Sequence, residues 1–112
     1  MPTPQQHREK AEHDEFFVAE LKEPFWDWAI TGLFYAALHY IEVRLAGQTP
    51  PIHPETHLIR DSHVHRLLST IYVDYRELEE QSRDARYDAA QNFTQQDFVR
   101  LQVNLARIKA AI

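Results

Sequence analysis

The sequence predicts an all-α protein, folded as a four- to five-helix up-and-down bundle. The chain contains only two glycines among 112 residues. No stretch alternates polar and apolar residues as a strand does, and no Asn-Gly or Asp-Gly hairpin turn occurs. Apolar residues instead recur at steps of three and four, which is the period of a helix face. The length suits one domain, residues 1–112, with a single modest core.

The first helix is predicted from its capping residues. Thr3 is a good N-cap, Pro4 suits the first helical position, and Gln6 completes a capping-box pattern. We expect this helix to run to about Leu21, with Phe17 on its inner side one turn before Leu21.

The second helix is predicted to be the central element of the bundle. It is expected from about Pro24 to Ala46, because proline favours a helix start and Gly47 a helix end. Apolar residues cover more than one side of it, so neighbouring helices must surround it. Trp26 and Ile30 are therefore expected to be buried.

The second half of the chain is predicted to be helical after a proline-rich loop, "GQTPPIHP". Residues 55–88 fit either one long helix or two, with Ser69 and Thr70 as the candidate break. A last helix is expected after Thr94, which forms a capping-box-like start with Asp97.

Composition excludes several classes of protein. The chain has no cysteine, so it can have no disulfide, thiolate metal site or thiol nucleophile. Its apolar stretch "WAITGLFYAALHYI" is too short to span a bilayer, and the amino end lacks a signal-peptide core. We therefore expect a cytoplasmic protein with no membrane partner. A net charge of −5 argues against broad non-specific nucleic-acid binding, but it permits a small basic site.

The stretch "THLIRDSHVHRLL", residues 56–68, concentrates histidine, arginine and aspartate. One interpretation is a metal site in which His57 and Asp61, one turn apart, are joined by His53 or His39. His65 is about 12 Å further along a straight helix than His57 and cannot bind the same ion. The other interpretation is a solvated helix face with weak salt bridges. His39 by itself is predicted to be a hydrogen-bonded core histidine.

A family resemblance adds a third interpretation. "WDWAITGLFYAALHYIEVRLAG", "HLIRD" and "YRELEEQSRDARYD", within residues 26–88, resemble members of the HEPN superfamily of small helical bundles. The family signature is an arginine, usually followed by a polar residue, with a histidine after four to six intervening positions. Arg60, Asp61 and His65 match it, although aspartate stands where asparagine is common. His57 and His63 are the alternative or supporting histidines.

The resemblance implies a metal-independent endoribonuclease of a toxin–antitoxin or defence system. It would need no cofactor and would leave 2′,3′-cyclic phosphate and 5′-hydroxyl ends, with histidine moving a proton and arginine stabilising the phosphorane. The site would form in a homodimer whose seam brings the two copies of Arg60 together. A cognate antitoxin or a nucleotidyltransferase is a further expected partner. Reaction with RNA requires that His57, Arg60 and His65 reach solvent.

Two other functions stay open at this point. One is a catalytically silent HEPN-like module that binds a protein partner or a nucleotide, and the other is a metal-binding helical bundle. Arg83 and Arg86 lie one helical turn apart beside Tyr87. They would hold a phosphate while Tyr87 stacks on a base, or they would form salt bridges across the bundle to Asp27 or Glu42.

Overall fold

The computed structural model describes residues 1–21 and 23–112, and within them all regular structure is helical. These described residues form five α-helices and one 3₁₀ turn: α1 (Pro4–Glu20), α2 (Trp26–Ala46), α3 (His57–Leu67), the turn Ser69–Ile71, α4 (Tyr72–Tyr87) and α5 (Gln95–Ala111). This part of the chain contains no strand, which confirms the all-α prediction. None of its helices combines the length and the apolar character needed to cross a membrane.

Helix α1 begins with the predicted capping box. The Thr3 hydroxyl accepts from the Gln6 backbone N–H at 3.1 Å, and the Gln6 side chain accepts from the Thr3 N–H at 2.9 Å. The inner side differs from the prediction, because the residues buried on α1 are His7, Ala11 and Val18. Phe17, 46% exposed, precedes Val18 and so points about 100° away from it around the helix.

Helix α2 is the central element, as predicted, and contacts α1, α4 and α5. It begins at Trp26, two residues later than expected. Ile30 is fully buried, which confirms that prediction. Trp26 is only partly buried, since it lies in the first turn of α2. Its ring packs against that of Phe98, with centroids 5.4 Å apart. Gly32 permits a close approach to α1, since a Cβ there would lie 2.5 Å from a methyl carbon of Val18.

Residues 55–88 form two helices with a break at Leu68, whose φ of −134° and ψ of 44° are not helical. Helix α4 buries Tyr75, Leu78 and Ser82, and Leu68 and Ile71 at the break pack into the same core. Helix α3 lies further out, with only Arg60 and Val64 buried. It therefore holds the histidine-rich stretch at the edge of the bundle.

Helix α5 also confirms its prediction. The Thr94 hydroxyl accepts from the Asp97 backbone N–H at 3.2 Å, and the Asp97 carboxylate accepts from the Thr94 N–H at 2.9 Å. Leu101, Leu105 and Ile108 are buried against the rest of the bundle.

Candidate functional site

Arg60 is buried, and the prediction that it reaches solvent is wrong. Only 8% of the residue is exposed. Its Nε and Nη2 donate to Glu42 Oε1 at 3.2 and 2.9 Å, and its Nη1 lies 3.1 Å from His57 Nδ1. The physical reason is Glu42, a carboxylate on α2 whose side chain is itself largely buried. It forms an ion pair with the Arg60 guanidinium and so holds it inside the bundle.

His65 does reach solvent, as predicted, but it does not join Arg60. Five residues of helix separate the two positions by about 140° around the axis, since each residue turns by about 100°. The His65 ring meets the edge of Tyr72, with centroids 4.8 Å apart. No hydrogen bond joins His65 to Arg60 among the described residues. His63 is also separate, and its Nδ1 lies 2.9 Å from Arg66 Nη2.

His57 is the histidine that contacts Arg60, and its side chain is 58% exposed. Partial burial and the neighbouring guanidinium of Arg60 lower the pKa of the His57 imidazole. The ring also lies beside Phe34, with centroids 6.0 Å apart. His57 is thus mainly neutral at pH 7 and faces a cavity next to α4.

That cavity, which we name the arginine cleft, has a volume of about 230 Å³. Helices α2, α3 and α4 supply its walls. Its lining residues are Phe34, His57, Leu58, Asp61, Arg76, Glu79, Arg83 and Arg86. Four of the residues singled out from the sequence therefore meet there, namely His57, Asp61, Arg83 and Arg86, whereas Arg60 and His65 do not line it.

Two carboxyl groups that line the arginine cleft, those of Asp61 and Glu79, each keep one oxygen without a hydrogen-bond donor in the described part of the chain. Asp61 Oδ1 and Glu79 Oε2 are buried without a partner among the described residues. Burial and the close approach of Asp61 raise the pKa of the Glu79 carboxyl to about 7. Arg76 donates to Asp61 Oδ2 at 3.0 Å and also contacts Glu79 and Glu80. At pH 7 the Glu79 carboxyl is therefore only partly ionised.

The two arginines predicted to hold phosphate form no ion pair with a carboxylate in the part of the chain that the structure describes. Arg83 is exposed. Arg86 donates to Ser82 Oγ at 3.1 Å, and its guanidinium carbon lies 5.5 Å from the ring centroid of Tyr35 and 5.4 Å from that of Tyr87. Among the described residues, neither arginine forms the alternative salt bridge to Asp27 or Glu42, and Glu42 is paired with Arg60 instead.

A second cavity, of about 410 Å³, shares the lining residue Arg86 with the arginine cleft. Asp27, Tyr87, Asn92 and Phe93 are among its lining residues. Tyr87 is 77% exposed, so the face of its ring that Arg86 does not cover can stack on a planar ligand.

A second group of side chains, the histidine cluster of His7, His39 and Glu42, was missed by the sequence reasoning. His7 belongs to α1 and the other two to α2, and one ligand atom from each residue lies within 4.8 Å of the others. Burial lowers the pKa of His7. Burial alone would raise the pKa of Glu42, but hydrogen bonding to His39 and the charge of Arg60 outweigh it and lower that pKa. Both groups are therefore competent metal ligands at neutral pH.

The metal site considered from the sequence does not form as expected. Among the described residues, His57 and Asp61 join no group of three ligand atoms within 4.8 Å. His39 was predicted to be a hydrogen-bonded core histidine, and it lies half-buried with its Nδ1 3.4 Å from His7 Nδ1. The sequence does indicate that His7 is buried, because it shares one face of α1 with Ala11 and Val18. Only the packing of α1 on α2 shows that His39 and Glu42 are the neighbours of His7.

The arginine cleft and the histidine cluster are two places where chemically active side chains converge. No family model matches the chain, and no curated protein or solved structure matches it either. The function is therefore inferred from the geometry of these two regions.

Proposed function

We propose that this protein is a catalytically silent, HEPN-like helical module that binds a nucleotide through its phosphate in the arginine cleft. The observation that carries the proposal is the pair Arg83 and Arg86. They lie one turn apart on α4, line the same cavity, and form no ion pair within the described residues. Guanidinium groups bind phosphate oxygens by paired, charge-assisted hydrogen bonds.

The charge balance of the cleft favours an anionic ligand. Arg76, Arg83 and Arg86 bring three positive charges to its lining, against the two carboxyl groups of Asp61 and Glu79. Glu79 is partly protonated at pH 7, because its pKa is about 7. The lining therefore carries a net positive charge within a chain whose overall charge is −5.

The size of the two cavities fits a mononucleotide better than a long RNA. Arg86 lines both, so a phosphate held in the arginine cleft leaves the base to reach the second cavity and the exposed ring of Tyr87. Stacking of a base on an aromatic ring contributes about 1–3 kcal/mol. A net charge of −5 also differs from the basic footprint that is typical of a polynucleotide-binding protein.

Calorimetric titration of the full chain with AMP tests this function, with adenosine and inorganic phosphate as matched ligands. AMP should bind in a one-to-one complex, and adenosine should bind at least about tenfold more weakly because it lacks the phosphate. Arg83→Gln and Arg86→Gln should each weaken AMP binding about tenfold. Arg107→Gln, an exposed residue on α5, is the control and should leave the affinity unchanged. Equal affinity for AMP in all four proteins would refute the proposal.

Ribonuclease activity is the second candidate, favoured by one observation. His57 contacts Arg60 at 3.1 Å and also lines the arginine cleft, so a histidine–arginine pair stands beside the proposed phosphate site. Incubation with mixed RNAs, with and without EDTA, distinguishes the two functions. The silent module predicts no cleavage by the wild type. EDTA-resistant cleavage that disappears in His57→Ala would establish the nuclease instead.

The homodimer implied by the family resemblance also belongs to the proposal. It is supported by exposed aromatic residues, since Phe17, Trp28 and Tyr35 line one shallow cavity between α1 and α2 and are 46%, 54% and 38% exposed. Exposed apolar surface of this kind is typical of protein interfaces. Sedimentation at micromolar concentration should give a dimer for the wild type and a monomer for Trp28→Lys.

A further inference from the structure

The histidine cluster brings three ligand atoms to one point. His7 Nδ1 lies 3.0 Å from Glu42 Oε2 and 3.4 Å from His39 Nδ1, and His39 Nδ1 lies 3.6 Å from the same carboxylate oxygen. The two imidazole rings are stacked, with centroids 5.7 Å apart and planes at 28°. The three atoms thus form a nearly equilateral triangle.

This triangle has the dimensions of one face of a metal coordination sphere. With metal–ligand bonds of about 2.1 Å, neighbouring ligand atoms are about 3.4 Å apart in a tetrahedron and about 3.0 Å apart in an octahedron. An ion placed on the axis of the triangle reaches all three atoms at normal bond lengths without movement of a helix. Two imidazoles and one carboxylate are ligands of zinc in catalytic sites and of other divalent transition metals.

The surroundings of Glu42 are arranged as metal sites require. Arg60 Nε and Nη2 both bind Oε1, which leaves Oε2 directed at the two histidines. A hydrogen-bonded outer shell of this kind fixes the orientation of a ligating carboxylate. Arg60 is accordingly a positioning residue, and its burial, unexpected from the sequence, has a function in this arrangement.

The fourth position is open. A cavity of about 210 Å³ lies beside His7 and Glu42, and the loop between α2 and α3 contributes His53 and Glu55 to its lining. A water molecule, His53 or a small ligand has room to complete the coordination there. Three protein ligands with one open position are characteristic of zinc sites that act on a ligand, whereas purely structural sites use four.

We propose that His7, His39 and Glu42 bind one divalent transition-metal ion of the zinc class, with a coordination position open toward the cavity at His53. The site goes beyond the proposed nucleotide binding and does not depend on it. Arg60 lies between the two regions, with Glu42 on one side and His57 on the other, but it lines neither cavity.

Calorimetric titration of the untagged, EDTA-treated and desalted full chain with zinc chloride tests the site. The wild type should bind one ion per chain with micromolar affinity or better, and zinc should raise the unfolding temperature because it binds only the folded chain. His39→Gln should weaken binding by at least about tenfold. His13→Gln changes a 72% exposed histidine of α1 outside the cluster and is the matched control, which should bind as the wild type does.

Cobalt provides a second readout that does not depend on any variant. Titration of the wild type with Co²⁺ should produce visible ligand-field absorption that saturates at one equivalent, and an excess of zinc should abolish it. Zinc binding weaker than roughly 0.1 mM in the wild type would overturn the proposal. An equal loss of affinity in His13→Gln and His39→Gln would overturn it too, because it would indicate scattered surface histidines.

Discussion

The surroundings of Glu42 and the arginine cleft contain the same kinds of side chain in opposite states. Around Glu42, both carboxylate oxygens have close partners: Arg60 binds Oε1, and His7 and His39 face Oε2. In the arginine cleft, Arg83 and Arg86 have no carboxylate partner among the described residues, while Asp61 and Glu79 each keep a buried oxygen without a donor.

The two regions therefore differ in whether their charged groups have partners, and not in the types of residue that they contain. A buried charge that is paired holds helices together, whereas polar groups left unmatched in a cavity need a ligand or a proton to complete them. Arg60 was predicted to be the reactive arginine, yet it is the paired one. Arg83 and Arg86 are the arginines available to a ligand.

Among the substitutions that test this difference, Arg60→Met should cause the largest loss of stability. It leaves the Glu42 carboxylate buried without its countercharge, which typically costs about 3–5 kcal/mol of unfolding free energy. Urea denaturation in the presence of EDTA measures the loss. Arg107→Met removes an arginine that is 62% exposed and paired with Asp74, and it should cost less than about 1 kcal/mol.

The double variant Arg60→Met with Glu42→Leu isolates the cause of this loss. Replacing both members of a buried ion pair by apolar residues is often neutral, so the double variant should recover at least half of the lost stability. If the double variant is as unstable as Arg60→Met, packing around Arg60 rather than unpaired charge determines the effect.

Glu79 gives the cleft a distinctive dependence of stability on pH. Its pKa is about 7 in the folded protein and near 4.3 in an unfolded chain, so the folded state binds this proton more tightly. The proton on Glu79 therefore stabilises the folded state. This stabilisation is fully present below about pH 4 and is lost as the pH rises through about 7. Between pH 5 and pH 8 the wild type should therefore lose on the order of 1–3 kcal/mol more stability than Glu79→Gln, which cannot ionise.

The matched control for that measurement is Glu80→Gln. Glu80 also contacts Arg76, but its side chain is exposed. The charged or titratable groups that face Glu79 are Asp61, Arg76 and His57. Denaturation curves at several pH values should give parallel profiles for Glu80→Gln and the wild type. A Glu79→Gln profile parallel to both would show that Glu79 titrates normally.

Local signals in the sequence predicted most of the fold. The pairs Thr3 with Gln6 and Thr94 with Asp97 act within one helical turn, so their helix starts follow from the sequence alone. The break at Leu68 was open between two alternatives, because neither glycine nor proline marks it. Packing of both flanking helices against the core determines it, and that information is not local.

The candidate site was predicted less completely, since its decisive contacts are distant in sequence. Arg83 and Arg86 were predicted either to bind phosphate or to form salt bridges, because their spacing alone places them on one face of α4. The pairing of Arg60 with Glu42 joins residues 18 positions apart, and His7 lies 32 positions from His39. The sequence holds no local pattern that links these residues, so their burial and convergence appear only in the folded chain.

Arg86→Gln should have the smallest effect on stability, in contrast with Arg60→Met. Arg86 is held by Ser82 Oγ and by the aromatic rings of Tyr35 and Tyr87, without an ion pair among the described residues. Such cation–π contacts contribute about 0.5–1 kcal/mol at exposed sites. Urea denaturation should thus show a loss of at most about 1 kcal/mol, and a loss as large as that of Arg60→Met would assign Arg86 a structural role.

Nuclear magnetic resonance of the arginine Nε–Hε groups tests most directly whether Arg83 and Arg86, and not Arg60, form the ligand site. During titration of the ¹⁵N-labelled chain with AMP, the Nε–Hε signals of Arg83 and Arg86 should shift together and saturate. The Arg60 signal should stay in place because Glu42 already binds its Nε. Adenosine should leave all three unchanged at the same concentrations. Shifts confined to Arg60, or no saturable shift at Arg83 and Arg86, would contradict nucleotide binding in the arginine cleft.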